Sequence, residues 1–350
     1  RTLMMSVDAT AAAYPWELMR DNDQPDEKPL AVRVELVRQL ASTHGRGRVP
    51  TVTDDRVFIV GDTQSGMIEL PGAQAEAKVV ASAFSGQRYE VNDLYRASAQ
   101  QVFDALFYGR YRFMHLAGHG VVNDKETGLT GMVLGPKTCL TSAQVDKLRH
   151  VPEFVFINCC HLGSMKDDAQ PRWGELAANL ATQFIEMGCK AVIAAGWAVD
   201  DSAAHTFAQT FYTAMLAGER FGRAVNLARA TTYEQHRHSN TWGAFQAYGD
   251  ERYRFPDTLA GQQDAGGYVH SSGLIADLDI LCARLQGASD AEKKGYYRKQ
   301  IQGIEPTARG PDFRRACVRE KLASAWAQLG DLERAIGHYR AALDLEDAGL

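Results

Sequence analysis

The chain has 350 residues, enough for about two domains, and its 45% hydrophobic content is enough for a sizeable core. The formal net charge of -5 and the lack of a basic run argue against a nucleic-acid-binding protein. No apolar stretch approaches the roughly 18 residues of a membrane-spanning helix. Six cysteines spread over this length predict free thiols in a reducing compartment, and therefore a cytoplasmic protein. The sequence begins with Arg1 and lacks the apolar core of a signal peptide, so we expect a piece of a longer protein.

Strand-like and helix-like segments alternate along the first part of the chain. Short apolar runs predict strands at 3–7, 56–62 and 89–94, and amphipathic patterns predict helices at 73–84 and 98–108. The residues of the first of these helices that we expect to face the core are Ala75, Val79, Val80 and Phe84. Pro15 predicts a helical turn anchored by Trp16, and glycines with a proline predict a loop at 44–53. This alternation predicts a doubly wound α/β sheet.

Two further apolar runs end in residues that can carry chemistry. The run at 113–116 is followed by Gly118-His119-Gly120, and the run at 154–157 is followed by Asn158, Cys159, Cys160 and, after two more residues, Gly163. Each run predicts a buried strand that stops at a turn. Because ligands bind beyond the carboxyl ends of parallel strands, we expect His119 and Cys160 to share one rim. A thiol and an imidazole that meet there can act as nucleophile and base.

These motifs resemble the CHAT family, caspase-like cysteine peptidases related to separase that occur alongside tetratricopeptide repeats. The family's histidine motif matches Gly118-His119-Gly120, and its cysteine motif places the nucleophile at Cys160. Further matches follow in order over roughly residues 10 to 255: Trp197 to Asp201, the stretch from Phe211 to Gly218, Trp242 to Phe245, and Gly249-Asp250. The resemblance implies a caspase-like α/β fold with a mostly parallel central sheet and helices on both faces.

The second half of the chain continues the α/β pattern and then changes character. It predicts strands at 131–134, 189–196 and 242–248 and helices at 141–148, 174–187, 202–216 and 221–233. Residues 320–342 resemble one tetratricopeptide repeat, which needs stacked neighbours, so either 274–304 forms a partner pair or the protein continues past Leu350. We therefore expect an N-terminal extension packed on the sheet at 1–50, a peptidase domain at 51–255, a linker at 256–273 and a smaller all-α, truncated tetratricopeptide-like region at 274–350.

The candidate dyad is weighed against neighbouring residues of the same type. Cys159 and Cys160 are adjacent in a strand and point to opposite sides, so we expect Cys160 to be the nucleophile and Cys159 to pack. We expect His119 to be the base because its flanking glycines free the backbone to turn, and His115 to be a hydrogen-bonded strand residue or a supporting one. The backbone amides of Gly120 and Cys160 are the predicted oxyanion donors. These cysteines and histidines lack the spacing of a zinc finger, so we expect no metal and no cofactor.

The turn after the strand at 189–196 is the predicted substrate pocket. Trp197 would supply an apolar wall, and the resemblance to separase implies that Asp201 receives a basic residue just before the scissile bond. Asp200 and Asp201 could divide the roles of helix cap and pocket floor between them. The sequence thus predicts a cysteine endopeptidase of bacterial-type signalling or defence that cleaves a partner protein after Arg or Lys.

We expect a regulatory protein to bind the helical region and to order the loop at 166–172. The polar composition of that loop predicts mobility. One alternative is a catalytically idle caspase-like scaffold that acts as a protein-binding module. Another is a nucleotide-binding α/β domain, which the lack of a glycine-rich phosphate motif disfavours.

Overall fold

A computed structural model describes residues 2–12, 14–21, 27–40, 52, 54–87, 89–122, 128–161, 175–255, 271–286, 291–305 and 315–345. The side chains of Cys160, His161 and several residues of the C-terminal helices lie outside this description. The predicted loop at 166–172, nearly all of the loop at 44–53 and most of the linker at 256–273 also lie outside it.

The centre of the molecule is a mostly parallel β-sheet. Its strands are Thr2–Val7 (β1), Glu35–Leu40 (β2), Arg56–Thr63 (β3), Glu90–Ala97 (β4), Phe113–Val121 (β5), Gly131–Gly135 (β6), Thr138–Leu140 (β7), Phe154–His161 (β8), Ala191–Ala195 (β9) and Phe245–Gly249 (β10). The described strands follow the order β1-β2-β10-β9-β8-β5-β3-β4, with β6 pairing β5 and β7 pairing β6. In the main path only the β9–β10 pair is antiparallel.

Helices cover both faces of the sheet. The α-helices of the described residues are Ala9–Ala12 (α1), Leu30–Arg33 (α2), Pro71–Ser85 (α3), Ala99–Tyr108 (α4), Ser142–Val145 (α5), Glu175–Glu186 (α6), Asp201–Leu216 (α7), Phe221–Gln235 (α8), Thr241–Ala244 (α9), Ser271–Gln286 (α10), Ala291–Ile304 (α11), Ala316–Gln328 (α12) and Leu332–Leu343 (α13), and the last four of these form a separate core. One core packs α3, α7 and α8 on the sheet, and the other packs α4, α5 and α6 on the opposite face. Strands β3, β5 and β8 are therefore buried on both faces, which explains their continuous apolar runs. This architecture confirms the predicted α/β fold class.

The N-terminal segment is fixed to the sheet by a buried cluster of charges. Glu17, Arg38 and Arg229 are each 0% exposed. The Glu17 carboxylate accepts from Arg38 Nε at 3.0 Å and lies 3.5 Å from Arg229 Nη2. Arg38 also donates to the carbonyl of Ala12 at 2.6 Å, and Arg229 donates to that of Phe245 in β10 at 2.9 Å. Burial lowers the pKa of Arg229 to about 10, although the Glu17 charge opposes that effect.

The C-terminal helices form a core of their own. Leu278, Leu322 and Trp326 lie at its centre, and the Trp326 indole N–H donates to Glu305 at 2.7 Å. Helices α12 and α13 meet at a turn in which Gly330 has φ +78°, a conformation that favours glycine. The small residues that predicted close helix packing, Ala323, Ala335 and Ala342, are buried. The tetratricopeptide assignment stays a prediction.

Several local predictions need correction. Strands β5 and β8 continue through Val121 and His161 rather than stopping before His119 and Cys160. The segment predicted as one strand at 242–248 begins as the short helix α9, because its first residues close a turn after Asn240. On α3, Ala75 is exposed and Val79 only half-buried, whereas Glu76 is buried. In the described part of the chain no helix is long and apolar enough to cross a bilayer.

Candidate active site

The two candidate dyad residues lie opposite each other on neighbouring strands. In the parallel pair of β5 and β8, His119 is in register with Cys160, and Gly120 with His161. Neighbouring strands are about 4.8 Å apart, so the two backbones are separated by about that distance. Both residues lie in the last residues of their strands, at the carboxyl end where parallel sheets bind ligands.

Among the described residues, His119 is held through one ring nitrogen. The side chain is 0% exposed, and Nε2 lies 2.6 Å from the carbonyl oxygen of Ile68. A carbonyl oxygen can only accept, so Nε2 must carry the proton, and in the neutral ring the lone pair resides on Nδ1. Among the residues that the structure describes, Nδ1 has no hydrogen-bond partner. A ring fixed in this tautomer offers a basic nitrogen for one further proton.

The carbonyl that orients His119 belongs to a loop organised by Asp62. Asp62 is 1% exposed and has φ 66°, a left-handed conformation that aspartate tolerates better than most residues. Its carboxylate accepts from the backbone N–H of Thr63 at 2.8 Å and of Leu70 at 3.1 Å. These contacts tie both ends of the loop together, so Ile68 is presented to His119 although its own side chain is 75% exposed.

Cys159 and Gly120, which neighbour the candidate dyad, have packing roles. Cys159 is 3% exposed within the core on the α4–α6 face, as predicted. A Cβ atom added at Gly120 would lie 2.5 Å from Leu176 Cδ2 and 2.9 Å from the carbonyl oxygen of Cys159. Glycine is thus required at this position because the neighbouring strand and α6 approach closely, and not because the chain turns there.

His115 belongs to a buried polar network beside the dyad. Its Nδ1 lies 3.1 Å from the Tyr212 hydroxyl, and its Nε2 lies 3.2 Å from Oε1 of Glu76. The second contact is close, but neither atom meets hydrogen-bond geometry. The other Glu76 oxygen accepts from Asn158 Nδ2 at 2.8 Å. Asn158 precedes Cys160 by two residues, so this network fixes β8 close to the candidate nucleophile.

The two adjacent acids after β9 have different surroundings. Asp200 is the N-cap of α7, because its Oδ1 accepts from the Ala203 N–H at 2.9 Å and from the Ser202 hydroxyl at 2.6 Å. These hydrogen bonds, the hydroxyl's first, lower the pKa of Asp200. Asp201 instead packs on the first turn of α3, where a Cβ added at Gly72 would lie 2.2 Å from its Cγ. Partial burial raises the pKa of Asp201, and the Asp200 and Glu76 charges add to that effect.

The contact with Gly72 places Asp201 near the candidate dyad. Gly72 is four residues from Ile68, whose carbonyl binds His119, so these two points are at most about 14 Å apart along the chain. Trp197 is half-buried, and its indole N–H donates to Asn240 at 3.1 Å. Its ring therefore also supports the turn before α9.

Sequence reasoning missed the residues that orient the predicted ones. The Ile68 contact uses a backbone oxygen, which no side-chain motif can signal. Glu76 could have been found, because it lies one helical turn before Val80 and two before Phe84 on the buried stripe of α3. Asp62 carries a weaker signal as an acid that closes an apolar strand.

The chain is similar in structure to the Arg-specific cysteine proteinase gingipain R, with 14% identity and a TM-score of 0.41 over 63% of this chain and 55% of that one. It is also similar to Porphyromonas gingivalis gingipain R in complex with its pro-domain, with 14% identity and a TM-score of 0.40 over 63% of this chain and 56% of that one. A third match is separase from Saccharomyces cerevisiae in its securin complex, with 14% identity and a TM-score of 0.41 over 71% of this chain and 16% of that one.

The chain thus spans about half of the gingipain chains and a smaller part of separase. No curated protein sequence matches it significantly. The family model of the CHAT domain matches residues 1–250, which is most of the chain. The chain therefore belongs to the CHAT domain family.

Proposed function

We propose that this protein is a cysteine endopeptidase in which Cys160 is the nucleophile and His119 the general base. The observation that carries the proposal is the fixed ring of His119: Nε2 is bound to the Ile68 carbonyl, and Nδ1 has no partner among the described residues. The strand register, with His119 opposite Cys160, supports transfer of the thiol proton to Nδ1. Membership of the CHAT family supports the same reaction class.

The reaction follows from these positions. His119 Nδ1 takes the proton from the Cys160 thiol, and the thiolate attacks the substrate carbonyl carbon. The backbone N–H groups of Gly120 and Cys160 donate to the resulting oxyanion, at about 3 kcal/mol per donor. The tetrahedral intermediate collapses as His119 returns the proton to the leaving amine, which leaves a thioester on Cys160. Water, deprotonated by His119, attacks the thioester carbon. The Cys160 sulfur leaves and takes the proton back from His119, which releases the acid and restores the thiol.

The proposed substrate is a protein cut after Arg or Lys. Asp201 is the acid that would receive the cationic side chain, and Asp200 and Glu76 are close enough to affect its pKa. Asp201 and the nearby Asp200 and Glu76 place three carboxyl groups in this region, which suits a guanidinium or ammonium group. Trp197 would contact the alkyl stem of that side chain.

The helical region is the proposed binding site for a regulatory protein. Helix α13 exposes large apolar side chains on one face, with exposed fractions of 64%, 50%, 45% and 77% for Leu332, Ile336, Tyr339 and Leu343. We further propose that such a partner controls a cytoplasmic signalling or defence protease. The α10–α13 core is separate from the cores of the sheet, so a chain ending at Phe255 can test this role. Full activity of that chain would mean that the helices recruit but do not regulate.

The first experiment tests the dyad with fluorogenic peptides that carry Arg before the cleaved bond. Cys160→Ala and His119→Ala should abolish turnover, whereas the matched variant Cys159→Ala should retain most of it. Equal loss in the Cys159 and Cys160 variants would reject the assigned register. His115→Ala should mainly lower the melting temperature, because His115 is 0% exposed and packed against Phe156 and Tyr212.

The second experiment tests specificity. Asp201→Asn should slow cleavage after Arg and Lys by roughly tenfold or more, with little effect on cleavage after Met. Asp200→Asn is the matched control, since asparagine keeps the capping oxygen. Cleavage after Leu or Met as fast as after Arg would reject Asp201 as the specificity residue while leaving the dyad intact.

A catalytically idle, protein-binding scaffold is the second candidate function. It is favoured by the full burial of His119. In that case no peptide is cut, and a thiol-directed peptide probe does not label Cys160.

A further inference from the structure

A cluster of two histidines and one carboxylate lies beside the proposed substrate pocket. One ligand atom from each of Asp200, His236 and His238 lies within 4.8 Å of the others, and no second cluster of this kind occurs in the described residues. The three residues come from different segments: Asp200 precedes α7, His236 is the C-cap of α8, and His238 lies in the following turn. Asp200 and His238 are exposed, and His236 is half-buried.

Thr206 holds one ring nitrogen of His236. The Thr206 hydroxyl donates to the Ser202 carbonyl at 3.1 Å and lies 2.9 Å from His236 Nε2. With the single hydroxyl proton of Thr206 in the first bond, Thr206 accepts from Nε2–H, and the lone pair of His236 is then on Nδ1. An outer hydroxyl that holds one ring nitrogen while the other is available is the arrangement of metal-binding histidines.

The nearest hydroxyl does not satisfy that lone pair. Ser202 Oγ lies 3.5 Å from His236 Nδ1, but it lies only 2.6 Å from Oδ1 of Asp200, to which it gives its proton. Oδ1 of Asp200 also accepts from the Ala203 N–H, so the second carboxylate oxygen is left for another ligand. The Nδ1 lone pair of His236 and the negative charge of Asp200 therefore lie close together, with His238 beside them.

We propose that Asp200, His236 and His238 bind a divalent transition-metal ion of the zinc type. Zinc accepts imidazole nitrogen and carboxylate oxygen at about 2.0–2.2 Å, so ligand atoms of one site are roughly 3–4 Å apart. The ligand atoms of the cluster lie within 4.8 Å of one another, and small rotations of the exposed Asp200 and His238 side chains would shorten these distances to that range. Water would complete the coordination, as in other sites with three protein ligands. The sequence alone does not predict this site, because a single His-x-His pair after a helix does not have a spacing that is diagnostic of a metal site.

The bound ion would link the start of α7 to the end of α8. It would also place positive charge one residue from Asp201, which weakens the attraction of the proposed pocket for a basic side chain. That consequence rests on the proposed function, whereas metal binding itself does not.

The test is calorimetric titration of the metal-stripped full chain with Zn²⁺, in a Cys160→Ala background that removes the proposed active-site thiol. Co²⁺, followed by its visible absorption bands, reports nitrogen and oxygen ligation in the same protein. We expect one equivalent of Zn²⁺ to bind, and His238→Ala and His236→Ala each to weaken it by roughly 10- to 100-fold. His150→Ala, a histidine outside the cluster, should change nothing, and Mg²⁺ should not compete, because it prefers all-oxygen sites.

Two results would overturn the proposal. The first is absence of Zn²⁺ binding, and the second is binding with the same affinity in the His236 and His238 variants as in the parent. If His236→Ala does not fold, His238→Ala and Asp200→Asn decide, because both residues are exposed and asparagine keeps the helix cap. The titration measures metal binding and not peptidase activity. A failure of the metal proposal is therefore distinct from a failure of the proposed function.

Discussion

Substitution of Asp62 by alanine tests whether the loop that orients His119 matters for chemistry. The change removes the acceptor of the Thr63 and Leu70 N–H groups, which are 2.8 and 3.1 Å from the carboxylate. Loss of the acceptor destabilises the folded state by about 1–3 kcal/mol at the buried Thr63 N–H and by about 1 kcal/mol at the half-buried Leu70 N–H. Alanine at φ 66° costs about 1–2 kcal/mol more. We therefore expect the free energy of unfolding to fall by about 3–6 kcal/mol.

The functional consequence follows from geometry. Without the carboxylate, the loop no longer holds the Ile68 carbonyl 2.6 Å from His119, so the ring loses its fixed tautomer. We expect peptidase turnover to fall by roughly 10- to 100-fold, as when a catalytic group is misplaced by about 1 Å. Asp62→Asn is the matched control, because asparagine tolerates this φ and keeps one acceptor oxygen. Urea unfolding and turnover are measured on both variants. Wild-type turnover in a clearly destabilised Asp62→Ala protein would refute the orienting role.

Two further predictions concern buried charges. Glu17→Ala leaves the Arg38 and Arg229 guanidinium groups buried without a carboxylate, so we expect the free energy of unfolding in urea to fall by about 3–5 kcal/mol. The control is Glu90→Ala, which breaks the exposed pair with Arg56 and should cost at most about 1 kcal/mol. Equal losses would contradict the role of burial. Burial raises the pKa of Asp250 from 3.8 to about 6, so the folded state binds the proton more tightly and loses stability as pH rises through this interval. Asp250→Asn should therefore stabilise the protein by about 1–3 kcal/mol at pH 7 to 8 and by little at pH 4. An equal gain in stability at both pH values would contradict the raised pKa of Asp250.

The fold was predictable because its central strands are apolar on both faces. The runs in β3, β5 and β8 have no polar alternation, which identifies a parallel sheet covered by helices. The strand ends were less predictable. Glycine at positions 118 and 120 suggested a turn, but it serves close packing against Met132 and Leu176.

The support of the candidate site was not predictable from local pattern. Glu76 binds Asn158, which is 82 residues away, and Glu17 pairs with Arg229 at a separation of 212. A charged residue in a helix predicts a solvent-exposed position unless its partner is known. A partner at such a separation cannot be identified from the residues nearby in the sequence. The orienting contact of His119 uses a main-chain oxygen of Ile68, whose residue type is irrelevant.

The most direct test of the central claim is the alkylation rate of Cys160 as a function of pH, measured by peptide mass spectrometry. If His119 Nδ1 accepts the thiol proton, Cys160 should react as a thiolate well below pH 8.5, the approximate pKa of an ordinary thiol. Half-buried Cys317 is the internal reference, and His119→Ala should abolish the difference between the two cysteines. The account predicts a rate advantage of Cys160 that disappears in His119→Ala, and it is contradicted if Cys160 reacts no faster than Cys317 or keeps its advantage without His119.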